Sequence, residues 1–157
     1  MKCAGSIASP GVQSVHGYDR VAFCVGAAGG PLPGGSLRHI SITYPDGTKR
    51  EVDLVRFALL GDLEQNPPVV PGIRIHVPAA RDFAFVTGAV RGLPGLERPI
   101  VPNVGSRITE SPRARLEWRE GDTIGLAVTR MGGLSEDAAG TILLFRENER
   151  RILTLSE

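Results

Sequence analysis

Asn66-Pro67-Pro68-Val69-Val70-Pro71-Gly72-Ile73-Arg74-Ile75-His76-Val77-Pro78 decides the fold. Its first half is a turn. Its second half, Gly72 to Val77, reads as a short strand that a proline closes. A second strand follows, Phe83-Ala84-Phe85-Val86-Thr87-Gly88-Ala89-Val90, and then a turn at Gly92-Leu93-Pro94-Gly95. One small module therefore closes on the first strand and a second opens on the next.

An internal repeat supports this division. Gly5-Ser6-Ile7-Ala8-Ser9-Pro10-Gly11 matches Gly88-Ala89-Val90-Arg91-Gly92-Leu93-Pro94-Gly95, with one extra residue in the second copy. The segment from Gly17 to Phe23 matches Gly121 to Leu126, with Asp19 on Asp122 and Val21 on Ile124. Ala28-Gly29-Gly30 matches Met131-Gly132-Gly133, and Ile40-Ser41-Ile42 matches Leu143-Leu144-Phe145. The Pro-Gly pairs are offset by 84 positions and the Gly-Gly pairs by 103, so the second copy carries 19 extra residues, within about 96–120. Each anchor alone is common punctuation; four in one order are a pattern.

Working outward, Cys3 to Ala8 reads as a strand ended by the turn Ser9-Pro10-Gly11, with Val12 to His16 as its return. Asp19 has the residue type of an N-cap. Val21, Val25 and Ala28 then share one face of a short helix, with Gly29 at the left-handed position that ends it and Gly30 after it. Leu37 to Tyr44 and Thr48 to Val52 form a hairpin about Pro45-Asp46-Gly47. Asp53 to Leu60 leaves loop and one helical turn both open. The second copy gives a strand over Phe83 to Val90 and a helix capped by Asp122 or Thr123 and ended by Gly132-Gly133. A hairpin follows over Thr141 to Arg146 and Arg151 to Leu155. No counterpart of the Gly72 to Val77 strand follows it, so either the N-terminal strand or a continuation of the chain completes that sheet. The alternation in Arg113-Ala114-Arg115-Leu116-Glu117-Trp118 suggests that the insertion lengthens the opening hairpin.

The predicted class is α+β: two tandem β-grasp-like modules, 1–79 and 80–157, each a four- to five-stranded mixed sheet packed on one short helix. Modules of this size can fold alone around a thin core. Gly and Pro total 32 of 157 residues and aromatics only 5%, which suits short strands and many turns; 41% hydrophobic residues exclude disorder. A net charge of +1 gives no field that would gather nucleic acid or anionic membrane. No apolar run approaches membrane-span length, and no h-region follows Met1-Lys2-Cys3. The chain opens inside its first strand, as an excised piece of a longer protein would. Cys3 and Cys24 lack metal-ligand spacing; buried free thiols and a disulfide both remain open.

No catalytic constellation emerges. Gly34-Gly35-Ser36 lacks the nucleophile-elbow frame, and the Gly-rich run 26–35 lacks the lysine of a phosphate loop. His16, His39 and His76 have no ligand spacing, and Asp19 and Asp122 read as caps rather than an acid pair. The expectation is a non-enzyme without cofactor or metal. The binding candidates lie in the insertion: Arg98, Arg107, Arg113 and Arg115 present planar forks suited to carboxylates, and Trp118 a flat apolar face. Arg and Trp suit a subunit interface equally. A solvated hairpin with Trp118 tucked against the core is the plain alternative.

The pattern Gly-x-Val-x-x-Pro-Gly, a short helix ending in Ala-Gly-Gly, a strand hairpin and Asn-Pro-x-Val-x-Pro-Gly-x-x-Ile-x-Val-Pro resembles SLBB domains, the soluble-ligand-binding β-grasp modules. Here it is carried by Gly5 to Gly11, Ala28 to Gly30 and Asn66 to Pro78, and the resemblance covers nearly the whole chain. Tandem copies are similar to the periplasmic part of outer-membrane polysaccharide export proteins. The family usually has Gly-Asp where this chain has Gly72-Ile73, the second copy has its insertion, and the preceding polysaccharide-export domain is not in this sequence. The resemblance implies a ring of like subunits, a polysaccharide cargo, attachment to the outer membrane through other parts of the protein, and an inner-membrane chain-length or export kinase as a partner. The alternative function is a stand-alone module binding a glycan or another small soluble ligand.

Overall fold

A computed structural model describes residues 1–92, 113–146 and 149–154. The chain is mixed α and β and divides into two compact units, Met1–Phe83 with Glu117–Glu120, and Ala84–Leu116 with Gly121–Glu157. The sequence boundary at 79/80 thus moves by four residues. Glu117–Glu120, read as part of the second module's insertion, groups with the first unit.

The first unit holds a five-stranded mixed sheet. Its strands are β1 (Lys2–Gly5), β2 (Gly11–Val12), β3 (Ile40–Thr43), β4 (Lys49–Val52) and β5 (Arg74–Val77), in the order β2-β1-β5-β3-β4. β1 and β5 run parallel, with Cys3 opposite Ile75; β3 is antiparallel to β5, with Ile42 opposite Ile75. Period-two alternation sends Ile40 and Ile42 of β3, and Ile75 and Val77 of β5, into the core. Helix α1 (Val21–Ala27) buries Val21, Cys24 and Val25 with Ala28 against them. The Pro45-Asp46-Gly47 turn forms as read: Gly47 takes φ +86°, and the Asp46 carboxylate accepts from the Thr48 N–H at 2.8 Å. That bond holds the Asp46 carboxyl below its usual range. The return strand is shorter than expected, covering only Gly11–Val12. Cys3 and Cys24 are both free and buried.

Two helix starts differ from the sequence expectation. Asp19 is not the N-cap of α1. That position is Arg20, whose side chain makes no capping bond, while the Asp19 carboxylate accepts from the His16 N–H at 2.7 Å. The helix is capped from 44 residues away: Asn66 Oδ1 accepts from the Ala22 N–H at 2.9 Å, and the Pro67 carbonyl accepts from the Val21 N–H. Both bonds satisfy first-turn donors that no residue before the helix reaches. The 53–60 segment is two turns rather than one. Asp53 caps α2 (Leu54–Leu60) by accepting from the N–H groups of Val55 and Arg56, each at 3.0 Å.

The second unit contains β6 (Phe83–Thr87) paired with β7 (Arg113–Glu117), apart from their end residues Phe83 and Glu117, helix α3 (Ile124–Arg130), and the antiparallel hairpin of β8 (Thr141–Arg146) and β9 (Glu149–Thr154). β7 sets the strand-like stretch that begins at Arg113 against β6, with Ala114 and Leu116 buried. Of the two residues offered as the cap of α3, Thr123 is the cap, its hydroxyl oxygen accepting from the Leu126 N–H at 3.1 Å; Asp122 precedes it. Pro94, Gly95 and the hairpin turn at 147–148 lie outside the described residues.

The same set of backbone bonds occurs in both units. In the first, Ile7 N–H donates to Gly5 O, Ala8 to Gly30, Ser9 to Ala28, Leu32 to Ser6 and Gly30 to Val25. In the second, Val90 donates to Gly88, Arg91 to Gly133, Gly92 to Met131, Ser135 to Ala89 and Gly133 to Val128. The isolated bridge Ile7–Pro31 is matched by Val90–Leu134. Gly29 and Gly132, at φ +80° and +77°, occupy matching places. A Cβ there would stand 2.9 Å from Ala8 Cβ in one unit and 2.9 Å from the Gly92 carbonyl oxygen in the other. Positive φ and lack of room both call for glycine.

Candidate interaction site

The first unit carries a buried ionic cluster that the sequence does not announce. Arg38, at the approach to β3, is fully buried. Its Nε and Nη2 donate to Asp53 Oδ2 at 3.0 and 2.8 Å, and its Nη1 donates to the Glu117 carbonyl at 3.3 Å. Arg119 donates to the Arg38 carbonyl at 2.9 Å and to Glu51 Oε1 at 2.8 Å, where His39 Nδ1 also lies at 3.1 Å. Ser36 Oγ accepts from the N–H groups of Arg38 and His39 at 3.1 and 3.0 Å, which fixes the chain entering β3.

This cluster explains why Glu117–Glu120 belongs with the first unit. It also defines what Asp53 can do. One oxygen receives the Arg38 fork and the other two helix N–H groups, so the carboxylate is held by four donors and serves structure. Both partners are at most 1% exposed, the setting in which loss of one partner strands the other's charge. Arg38 and Asp53 leave weak traces in the sequence: Asp before Leu-Val-Arg is a helix start, but an Arg beside a strand reads as exposed.

The candidates from the insertion separate. Arg98 and Arg107 lie outside the described residues, and so does the side chain of Arg113. Arg115 stands exposed on β7. Trp118 is half-buried, and its backbone N–H donates to the Asp82 carbonyl. Arg119, not singled out by the sequence, belongs to the first unit and bonds there to the Arg38 carbonyl and Glu51. The histidines are held by neighbours of other kinds: His16 stacks on Tyr18 at 5.3 Å between ring centroids, and His76 is on the exposed face of β5. Among the described residues, no group of three or more His, Cys, Asp or Glu is placed to hold a metal ion, and no helix is long and apolar enough to cross a membrane.

Several large apolar side chains remain in solvent. In the first unit these include Tyr18, Phe23, Leu60 and Leu63; in the second, Phe85, Leu143, Phe145 and Ile152. Scattered apolar exposure is ordinary, but apolar residues concentrated on paired strands suit contact with another chain. No protein-family model matches this chain, and neither does any curated protein sequence.

Proposed function

We propose that the chain is a tandem pair of β-grasp modules of SLBB type, a non-catalytic periplasmic part of a bacterial capsule or exopolysaccharide export protein. Its surfaces form channel wall and contacts between like subunits, and the assembly associates with the outer membrane through other parts of the protein. The observation that carries this reading is the duplicated set of turn and helix-end bonds, with Gly29 and Gly132 in matching places. The strand order β2-β1-β5-β3-β4, with a helix between the second and third strands, supports a β-grasp roll in the first unit. Tyr18, Phe23, Leu60 and Leu63 are exposed side chains of the kind that subunit contacts use. Polysaccharide is the cargo, and an inner-membrane chain-length or export kinase the further partner; neither nucleic acid nor a cofactor has a part.

Cross-linking and native mass spectrometry of the protein in membranes test this. A closed ring of like subunits is expected, and a strict monomer in every detergent and buffer overturns it. The stand-alone glycan-binding reading rests, among the described residues, on Arg115 and Trp118. It requires acidic oligosaccharides at millimolar concentration to change Trp118 fluorescence, and Arg115→Ala to abolish the change.

A further inference from the structure

The first unit has an open cleft of about 390 Å³, lined by Arg20, Arg50, Leu63, Glu64, Pro67 and Pro68. Two guanidinium groups reach it from different elements: Arg20 stands just before α1, and Arg50 lies on β4. One short stretch of backbone holds both. Arg20 Nη1 donates to the Asn66 carbonyl at 2.7 Å, and Arg50 Nη2 donates to the Glu64 carbonyl. These are the only side-chain bonds of the two arginines among the described residues. A guanidinium has five N–H donors, so most of each fork is left for a ligand.

The floor of the cleft is fixed. Leu63–Gln65 forms a single 3-10 turn, and the Asp62 carboxylate caps it by accepting from the Glu64 N–H at 3.2 Å. Asn66, next in the chain, is buried; its Oδ1 holds the Ala22 N–H, the Pro67 carbonyl holds the Val21 N–H, and Pro68 bridges to Arg20. The two prolines have fixed φ and no side-chain freedom to lose. Both arginines are thus oriented before a ligand arrives, which lowers the cost of binding.

We propose that this cleft binds a small hydroxylated monocarboxylate, of the chemical class of a hexuronate. A carboxylate matches the planar guanidinium forks. Leu63, which is 60% exposed, and the two prolines offer an apolar surface for the C–H face of a sugar ring. The Glu64 carboxylate on the same cleft can accept from a hydroxyl. Two arginines and one glutamate leave one net positive charge, which answers a single carboxylate. A phosphate dianion brings a second negative charge against Glu64, and an uncharged sugar leaves the forks without a charged acceptor. The site lies wholly in the first unit and does not rest on the export reading.

The test titrates the full chain, labelled for NMR, with sodium glucuronate, glucose, acetate and inorganic phosphate, in mildly alkaline solution where phosphate is chiefly a dianion. Glucuronate is expected to bind at millimolar concentration and to shift the Nε–H signals of Arg20 and Arg50 and the amides of Leu63 and Glu64. Glucose should bind about tenfold more weakly or less, since it forgoes the charge-assisted bonds. Acetate, without the ring, and phosphate should also be weaker than glucuronate. Arg50→Gln, a change at an exposed position, should keep the spectrum folded and weaken glucuronate about tenfold. Glu64→Gln leaves in place the carbonyl that holds Arg50 and should strengthen phosphate about twofold to fivefold. Because it alters neither arginine, it reads the cleft independently of what Arg50→Gln does to the fold. No shift at these residues with glucuronate, shifts confined to Arg115 and Trp118, equal binding of acetate or phosphate, or glucuronate affinity unchanged in Arg50→Gln each overturns the proposal.

Discussion

The two hairpins of this chain, β3–β4 and β8–β9, carry the same pattern. Ile40 pairs with Val52 and Ile42 with Arg50; Leu143 pairs with Ile152 and Phe145 with Arg150. Ile40, Ile42 and Val52 are buried, whereas Leu143, Phe145 and Ile152 are in solvent. The difference lies in what stands beside them. The first hairpin is covered by a segment that caps α1 through Asn66, fills the core with Val69, Ile73, Ile75 and Val77, and pairs with strands on both sides. An amphipathic hairpin therefore does not make a core by itself. Burial is a property of the closed sheet, and the Asn66–Pro78 segment closes it.

The largest way to break the comparison is at Arg38. By the repeat, the positions of Arg38 and Asp53 in the second unit fall at Thr141 and near Leu153, so the ionic cluster is peculiar to the first. Arg38→Ala strands the Asp53 carboxylate in the core and should cost about 3–5 kcal/mol. Amide exchange should show the loss over β3, β4 and β5 while β8–β9 is unchanged. Equal loss in both units would mean that their stabilities are one quantity.

Matched truncations sharpen it next. Ile42→Ala empties a buried site and should cost about 2–5 kcal/mol. Phe145→Ala removes a side chain that is 70% exposed and should stay within about 0.5 kcal/mol. Denaturant titration followed by unit-resolved NMR reads both. A smaller step is the helix cap. Asn66→Ala should cost about 0.5–2 kcal/mol and loosen Ala22, 44 residues away, and its neighbour Val21 first. Thr123→Ala removes the corresponding device of α3, a cap supplied by the neighbouring residue. The two changes should be similar in size, but only Asn66→Ala should also speed exchange along β5.

These contrasts show what the sequence can and cannot disclose. Alternation in β3 and β5, the Asp46-Gly47 turn and the spacing of Val21, Val25 and Ala28 are local signals, and they are legible. The cap of α1 is not, because its acceptor comes from across the unit; Asp19, the obvious local choice, serves the preceding turn instead. Arg38 is illegible for the same reason: only the closed structure brings Asp53 and the Glu117 carbonyl to it. Of the interaction candidates, the alternation of Arg113 to Trp118 disclosed a strand. Arg119, which nothing in its local pattern sets apart, donates to the Arg38 carbonyl and to Glu51 within the first unit.

The smallest effect is confined to alkaline solution. Burial pushes the Cys24 thiol from its ordinary 9.0 up to about 11, with the Asp19 carboxylate and Cys3 adding to the rise; burial raises Cys3 as well. Below pH 9 the thiol is protonated in both folded and unfolded chains, and its contribution to stability is fully present. As pH rises from about 9 toward 11, the unfolded chain releases the proton while the folded chain keeps it, so stability falls with pH over that window. The matching position in the second unit is Ala127, which has no proton to lose. Cys24→Ala should therefore flatten the alkaline slope of the first unit and leave the second as it was, read as exchange-derived stability at several pH values. If both units lose stability together over that window in the Cys24→Ala chain, the slope has another source, and the contrast between a titrating core and a silent one does not stand.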